Sequence, residues 1–346
     1  MLLERLTQAA GVSGNEDEVR RILRDEASKA GADVECDVLG NLIARKNPGE
    51  TPRGELARPL VMLAAHMDEV GLIVSFIEKE GLLRFQKVGG IDDRVLPCKE
   101  VLVGRNRIRG VIGLKPLHLQ ESDEREKILK SDNLFIDIGA RSREDAEKKV
   151  RPGDYASFAG GFRQLGGRTV RAKALDDRAG CAVLAQILGR DYPFSVVAVF
   201  TVQEEVGLRG AAVSAWAVQP DMAVVLEGTI CSDTPGTDDH LQATRLGGGP
   251  ALSIMDGTSI ASKTMLRQMV EVATENNIPY QFKRITLGGN DAGRIHLSRT
   301  GVPTASVSVP CRYIHSPSCI MSLDDFENAI RLVDAFLVSV GEGFRP

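Results

Sequence analysis

Four short stretches of the chain stand out as strand candidates, the first three continuous and apolar: LVMLAA (60–65), SVVAVFTV (195–202), MAVVL (222–226) and TASVSV (304–309). A strand with one face in water alternates polar and apolar residues. Unalternating runs rich in β-branched residues fit strands covered on both faces. Between most of them the period becomes helical, as in RAGCAVLAQILGR (178–190) and SKTMLRQMVEVATENN (262–277). Val19, Ile22, Leu23, Ala27 and Ala30 mark a helical face near the start of the chain, and Asn15 with Glu18 has the spacing of a capping box. Ser322 with Asp325 opens a similar helix with the stripe Phe326, Ile330, Val333, Phe336, Leu337 and Val340. Strands and helices in alternation predict an α/β fold: a mixed, mostly parallel sheet sandwiched by helices.

The pattern changes between residues 70 and 167. GLIVSFIE, GLLRFQKVGG, EVLVGRNRIRGVIGL, FIDIGAR and PGDYASF are short strand candidates set off by glycine turns, with SREDAEKKV the one short helix among them. This predicts a small inserted β-barrel. The α/β part then comprises 1–69 and 168–346, and the insertion 70–167. The charged segment ESDEREKILKSD (121–132) reads as a solvated loop of the insertion.

Composition narrows the function. With 346 residues, 43% hydrophobic and 26% charged, the chain has ordinary globular composition. A net charge of -4 without a basic stripe argues against nucleic acid as a partner. No apolar run is long enough to span a bilayer, and MLLERLTQAAGVSG lacks the regions of a signal peptide, so no membrane partner and a cytoplasmic location are expected. The six cysteines are scattered without a CxxC pair and read as reduced, mostly buried thiols. Cys311, four residues before His315, reads as a core thiol before it reads as a ligand.

The chemistry falls at the strand ends. LVMLAA runs into His66, Met67 and Asp68; SVVAVFTV into Gln203, Glu204 and Glu205; MAVVL into Glu227; TASVSV leads through PCRYI to His315. Ligands of open α/β sheets bind at the carboxyl ends of the strands. Asp176 and Asp177, in KALDDRAG, stand where a loop meets a helix and are placed either to face the same rim or to cap that helix. One acid at a strand end is ordinarily a turn residue. Two histidines and several carboxylates converging on one edge repel unless cations neutralise them. Imidazole and carboxylate without thiolate suit Zn, Co or Mn. If the segment after Phe200 stays extended, Glu204 and Glu205 point opposite ways, one free to ligate and the other to act as a base. Asp68 is placed to accept the second N–H of His66.

AAHMDEVGLIV, ALDDRAGC, QEEVGLRGA, GGNDAG and RYIHSP, together with GVSGNEDEVR and DVLGNLIA, resemble in order the motifs of the M42 family of metallo-aminopeptidases, over about residues 5–340. The resemblance implies two divalent metal ions per subunit, zinc first and cobalt or manganese as alternatives. His66 and Glu227 would bind one, Glu205 and His315 the other, and Asp176 would bridge them. Glu204 would be the general base and Asp68 would orient His66. The implied reaction removes N-terminal residues from short peptides by attack of a water held between the metals. The implied assembly is a homo-oligomer built from dimers joined through the barrel, up to a dodecamer. Two positions depart from the family pattern: Glu227, where many members have aspartate, and Asn290, where threonine is common. The first keeps a related di-metal carboxypeptidase or N-deacylase as the alternative activity. A metal-free glycosidase and a non-catalytic peptide-binding protein are further readings: chelator sensitivity would discriminate the first, and the presence of every ligand and of the base argues against the second.

Overall fold

The computed structural model describes residues 1–46, 59–121, 127–284 and 286–346. All four apolar runs are strands: Leu60–His66, Ser195–Thr201, Met222–Ile230 and Thr304–Arg312. They lie side by side and parallel, with Thr201 opposite His66 and Glu227 opposite Ser308. Period two explains why the first three runs do not alternate. Val61, Leu63, Val196, Ala198, Val224 and Leu226 enter one core, while Met62, Ala64, Val197, Val199, Ala223 and Val225 enter the core on the opposite face. Both faces are covered, so apolar residues fill both along most of their length; Thr304–Arg312 places Ser306 and Ser308 between its apolar residues, and Glu227 lies within Met222–Ile230.

The helices Leu2–Gln8, Asp17–Lys29, Leu175–Leu188, Lys263–Glu275 and Leu323–Gly341 supply the first core, and Arg209–Val218 with Ala292–Ile295 the second. Antiparallel strands flank the parallel centre, making an 11-stranded mixed sheet among the described residues. No helix among these residues is long and apolar enough to cross a membrane.

The insertion forms a closed antiparallel barrel from Gly71–Ile77, Leu83–Val88, Glu100–Val103, Ile108–Gly113, Phe135–Asp137 and Tyr155–Phe158, around its own apolar cluster. Arg163–Leu165 pairs with Thr169–Ala172 in the large sheet, so the chain has returned to that sheet before residue 168. Of ESDEREKILKSD, residues 122–126 lie outside the described residues, and the rest is exposed or half-buried.

The caps divide. Ser322 accepts from the backbone N–H of Asp324 and Asp325 as expected, and Ser262 caps Lys263–Glu275 through Met265. Asn15 is not a cap. The helix starts at Asp17 after Glu16, whose carboxylate accepts from the Gly14 N–H, and Glu18 reaches the Ala10 N–H rather than closing a box. Four of the six cysteines are buried; Cys36 and Cys98 are exposed.

Asn41 joins the edge of the sheet to the site. Its Oδ1 accepts the Val202 N–H at 3.0 Å and its Nδ2 donates to the Gly210 carbonyl at 3.0 Å, which fixes both sides of the turn carrying Glu204 and Glu205. Asn41→Ala leaves the buried Val202 N–H without its partner. It is expected to lower stability by about 1–3 kcal/mol in urea titration; no change would mean that the turn is held by other contacts.

Candidate active site

The ends of the four parallel strands bring His66, Glu204, Glu205, Glu227 and His315 to one edge, and Asp176 reaches it from the start of Leu175–Leu188. Asp176 is central. Its Oδ1 lies 3.3 Å from His66 Nε2 and its Oδ2 lies 3.5 Å from His315 Nε2. Glu227 Oε2 is 3.6 Å and Glu204 Oε2 is 4.0 Å from His66 Nε2. Glu205 Oε2 is 3.4 Å from His315 Nε2. Two donor groups face the cavity, His66, Glu204 and Glu227 on one side and Asp176, Glu205 and His315 on the other, and a third, Asp176, Asp177 and Glu227, overlaps both; in each, one ligand atom per residue lies within 4.8 Å of the others.

Glu204 and Glu205 do not point to opposite faces as an extended segment requires. The strand ends at Thr201 and Gln203 has a φ of 56°, in the left-handed region. The chain turns there and directs both acids to the site, one to each donor group. Strand alternation ceases to apply once the chain leaves the sheet.

Both imidazoles are fixed by their other nitrogen. His66 Nδ1 faces the Asp68 carbonyl at 3.1 Å and its carboxylate at 3.5 Å. His315 Nδ1 donates to the Gly90 carbonyl at 2.7 Å. With Nδ1–H as donor, each ring presents Nε2 to the carboxylates, the arrangement of a metal-binding histidine. The Gly90 contact comes from the barrel, so the insertion forms part of the site. Nothing in the sequence linked those positions.

Asp68 does more than face His66. Its Oδ1 accepts from the Glu204 N–H, and its Oδ2 accepts from the Glu205 N–H and from Ser13 Oγ. Burial acts to raise this carboxyl, but bonds and charge from His66 and the bond from Ser13 hold it below the ordinary range. The Asp176–Asp177 pair divides its work. Asp177 takes the capping role, accepting from the Gly180 N–H at 2.8 Å and from the His66 N–H at 3.1 Å, which leaves Asp176 to the site. A buried network lies behind them: Lys173 Nζ is 2.6 Å from Glu69 Oε1, and Arg178 bonds to Glu69 and to the Met67 carbonyl. It clamps the segment that follows His66.

The electrostatics fit a cation site. Burial pushes Glu204, Glu205 and Glu227 up, Glu205 to about 7, with the histidines opposing and neighbouring acids adding to the shift. For His315, burial is outweighed by the Asp176 bond and the Glu205 charge, which raise the imidazole to about 10. Among the described residues Glu227 Oε1 is buried without a hydrogen-bond partner. Packed carboxylates, two oriented imidazoles and an orphaned carboxylate oxygen suit hard-to-borderline divalent cations. Cys311 stands in none of these groups and is a buried thiol.

The donors line a cavity of about 520 Å³ that also includes Asn290. Asn290 is committed to its own loop, accepting from the Ala292 N–H at 2.9 Å and donating to Ser306 Oγ at 3.3 Å. Gly228 lets Asp176 approach: a Cβ there would lie 2.8 Å from Asp176 Cα. Gly228→Ala is therefore expected to displace the shared carboxylate and lower kcat/KM by about 100-fold. Unchanged kinetics would show that the loop yields without moving the acid.

A family model described as M42 glutamyl aminopeptidase matches residues 40–332. A putative aminopeptidase of Acetivibrio thermocellus is 40% identical over 338 residues, which cover 96% of this chain and 96% of that protein. The solved structure of a TET aminopeptidase from a marine-sediment Thaumarchaeota archaeon has a TM-score of 0.93 and 39% identity, covering 99% of this chain and 98% of that one. The Pyrococcus horikoshii TET1 peptidase, described as able to assemble into a tetrahedron or a large octahedral shell, has a TM-score of 0.85 and 35% identity, covering 97% and 99%.

Proposed function

The chain belongs to the M42 aminopeptidase family, hydrolases of the exopeptidase class, and on that footing we propose that it removes N-terminal residues from short peptides at a site holding two divalent cations. The observation that carries this reading is the position of Asp176, whose two carboxylate oxygens reach the two donor groups separately. His66 and Glu227 would hold one cation and Glu205 and His315 the other, with Asp176 placed between the two groups. Zinc is the first candidate, with cobalt or manganese as alternatives. When bound, the cations lower the pKa of an attacking water and polarise the scissile carbonyl.

The chain's own groups do the rest. Glu204 accepts the proton of the attacking water and passes it to the leaving amine, work for which a carboxyl raised by burial is suited. Asp68 fixes the His66 ring and, through the Glu204 and Glu205 N–H groups, holds the two acids in register. We further propose that the chain self-associates through dimers, up to a dodecamer, a reading supported by the assemblies described for the similar TET1 peptidase.

Chelation tests the cation requirement. Stripped protein is expected to lose hydrolysis of amino-acid p-nitroanilides and to melt at lower temperature, because ligands that bind only the folded state stabilise it. Zn, Co or Mn added back is expected to restore activity at about two ions per chain. Full activity in protein shown to be free of metal would contradict the reading.

A further inference from the structure

We propose that Ser13 is a positioning residue of the active site: it sets the Asp68 carboxylate, which in turn holds His66 and the turn carrying Glu204 and Glu205. This rests on the aminopeptidase reading above and extends its machinery to the N-terminal GVSG turn, 55 positions from Asp68.

The Asp68 carboxylate meets four groups among the described residues. Its Oδ1 accepts from the Glu204 N–H at 3.0 Å and lies 3.5 Å from His66 Nδ1. Its Oδ2 accepts from the Glu205 N–H at 3.1 Å and from the Ser13 hydroxyl at 2.7 Å. Three of these groups belong to the parts that Asp68 holds. A carboxylate fixed by them alone would move with them. Ser13 ties it to a segment outside the cation cluster, through the shortest of the four contacts. Both residues are buried, so solvent does not compete for that bond.

The turn is anchored on its far side. The Ser13 N–H donates to the Glu69 carbonyl at 3.3 Å, and the Glu69 N–H to the Gly11 carbonyl at 2.9 Å. The Gly11 N–H donates to the Glu69 carboxylate at 3.1 Å, and Lys173 and Arg178 grip that carboxylate from behind. The Gly14 N–H donates to the Glu16 carboxylate at 2.6 Å. Gly14 has a φ of 89°, and a Cβ there would lie 2.8 Å from the Tyr155 hydroxyl of the barrel. The turn is thus wedged between Glu69 and the barrel, with the Ser13 side chain directed at the site. A hydroxyl suits this position. It rotates to meet the lone pair that the two backbone donors leave open, and it brings no charge beside a cation site.

A double-mutant cycle of Ser13→Ala and Asp68→Ala in metal-restored protein tests this, read as kcat and KM on Leu-p-nitroanilide. Ser13→Ala is expected to lower kcat by about 10-fold and to leave KM within about threefold. The loss is at the low end for groups behind a metal ligand, because both backbone donors to Asp68 remain. In the Asp68→Ala background the same change is expected to cost less than about twofold, since the carboxylate through which Ser13 acts is gone. Cobalt titration followed by visible absorption reads the site apart from turnover: Ser13→Ala is expected to bind one of its two ions about 10-fold more weakly. The single variant's kinetics and cobalt binding decide the matter even where the double variant does not fold. Native kcat and cobalt affinity in Ser13→Ala, or an equal loss in the Asp68→Ala background, would overturn the inference and leave the aminopeptidase reading standing. So would a loss of rate that disappears when expressed per folded molecule, which is a stability effect alone. A native protein that cleaves no free amino-acid anilide would overturn the aminopeptidase reading, a result independent of any Ser13 variant, and the positioning role would fall with it.

Discussion

Glu204→Gln is expected to keep its cations and lose turnover by about 10²–10⁴-fold, the contribution of a positioned general base. Glutamine matches glutamate in size and leaves the backbone bond from Glu204 to Asp68 in place. It cannot take a proton. The measurement is kcat on a free-amino anilide beside the metal content of the same preparation. Activity within tenfold of native would move the base elsewhere, with Glu205 next in the cavity. Loss of metal along with activity would make Glu204 a ligand. That outcome is a real contrast, because Glu204 shares a donor group with His66 and Glu227.

Asp176→Ala is expected to have the other large effect. On the proposed reading one carboxylate would serve both cations, so its removal would take a ligand from each. Metal titration is expected to fall from two ions per chain to one weakly held ion or none, with hydrolysis below detection. The fold is expected to survive, because Asp177 keeps its bonds to the Gly180 and His66 N–H groups and continues to hold the start of the helix. Asp177→Ala is the control. It removes the bonds to Gly180 and to the His66 N–H and is expected to lower stability by about 1–3 kcal/mol. Two tightly held ions in Asp176→Ala would show that the donor groups are independent.

The core strands and the donors at their ends were legible in the chain because burial on two faces leaves a signal in every residue. The continuous runs mark both faces of the sheet, and the acids and histidines that follow them within a few residues lie along one edge. What escaped was of another kind. The turn at Gln203 depends on one backbone angle, and no side-chain pattern recorded it. The Gly90 carbonyl is 225 positions from the His315 ring it accepts from, and the Asn41 clamp on Val202 spans 161. Backbone carbonyls have no residue type, so a bond to one leaves no trace in composition or period. Asn15 misled for the converse reason. Its spacing to Glu18 satisfied a local rule, but Glu18 is engaged by Ala10 and by Arg107 of the barrel. Asp176 and Asp177 were indistinguishable as neighbours; the cap needed one of them, and the fold decided which.

The family resemblance implies aspartate where this chain has Glu227, and that departure is the reason to test which end of a peptide is cut. The decisive measurement compares free and N-acetylated peptides of one sequence, in chelator-stripped and metal-restored protein, with products identified by mass. Metal-dependent release of the first residue from the free peptide, with the acetylated one intact, is the expected result. Release of the C-terminal residue or of the acetyl group from the blocked peptide would contradict the account.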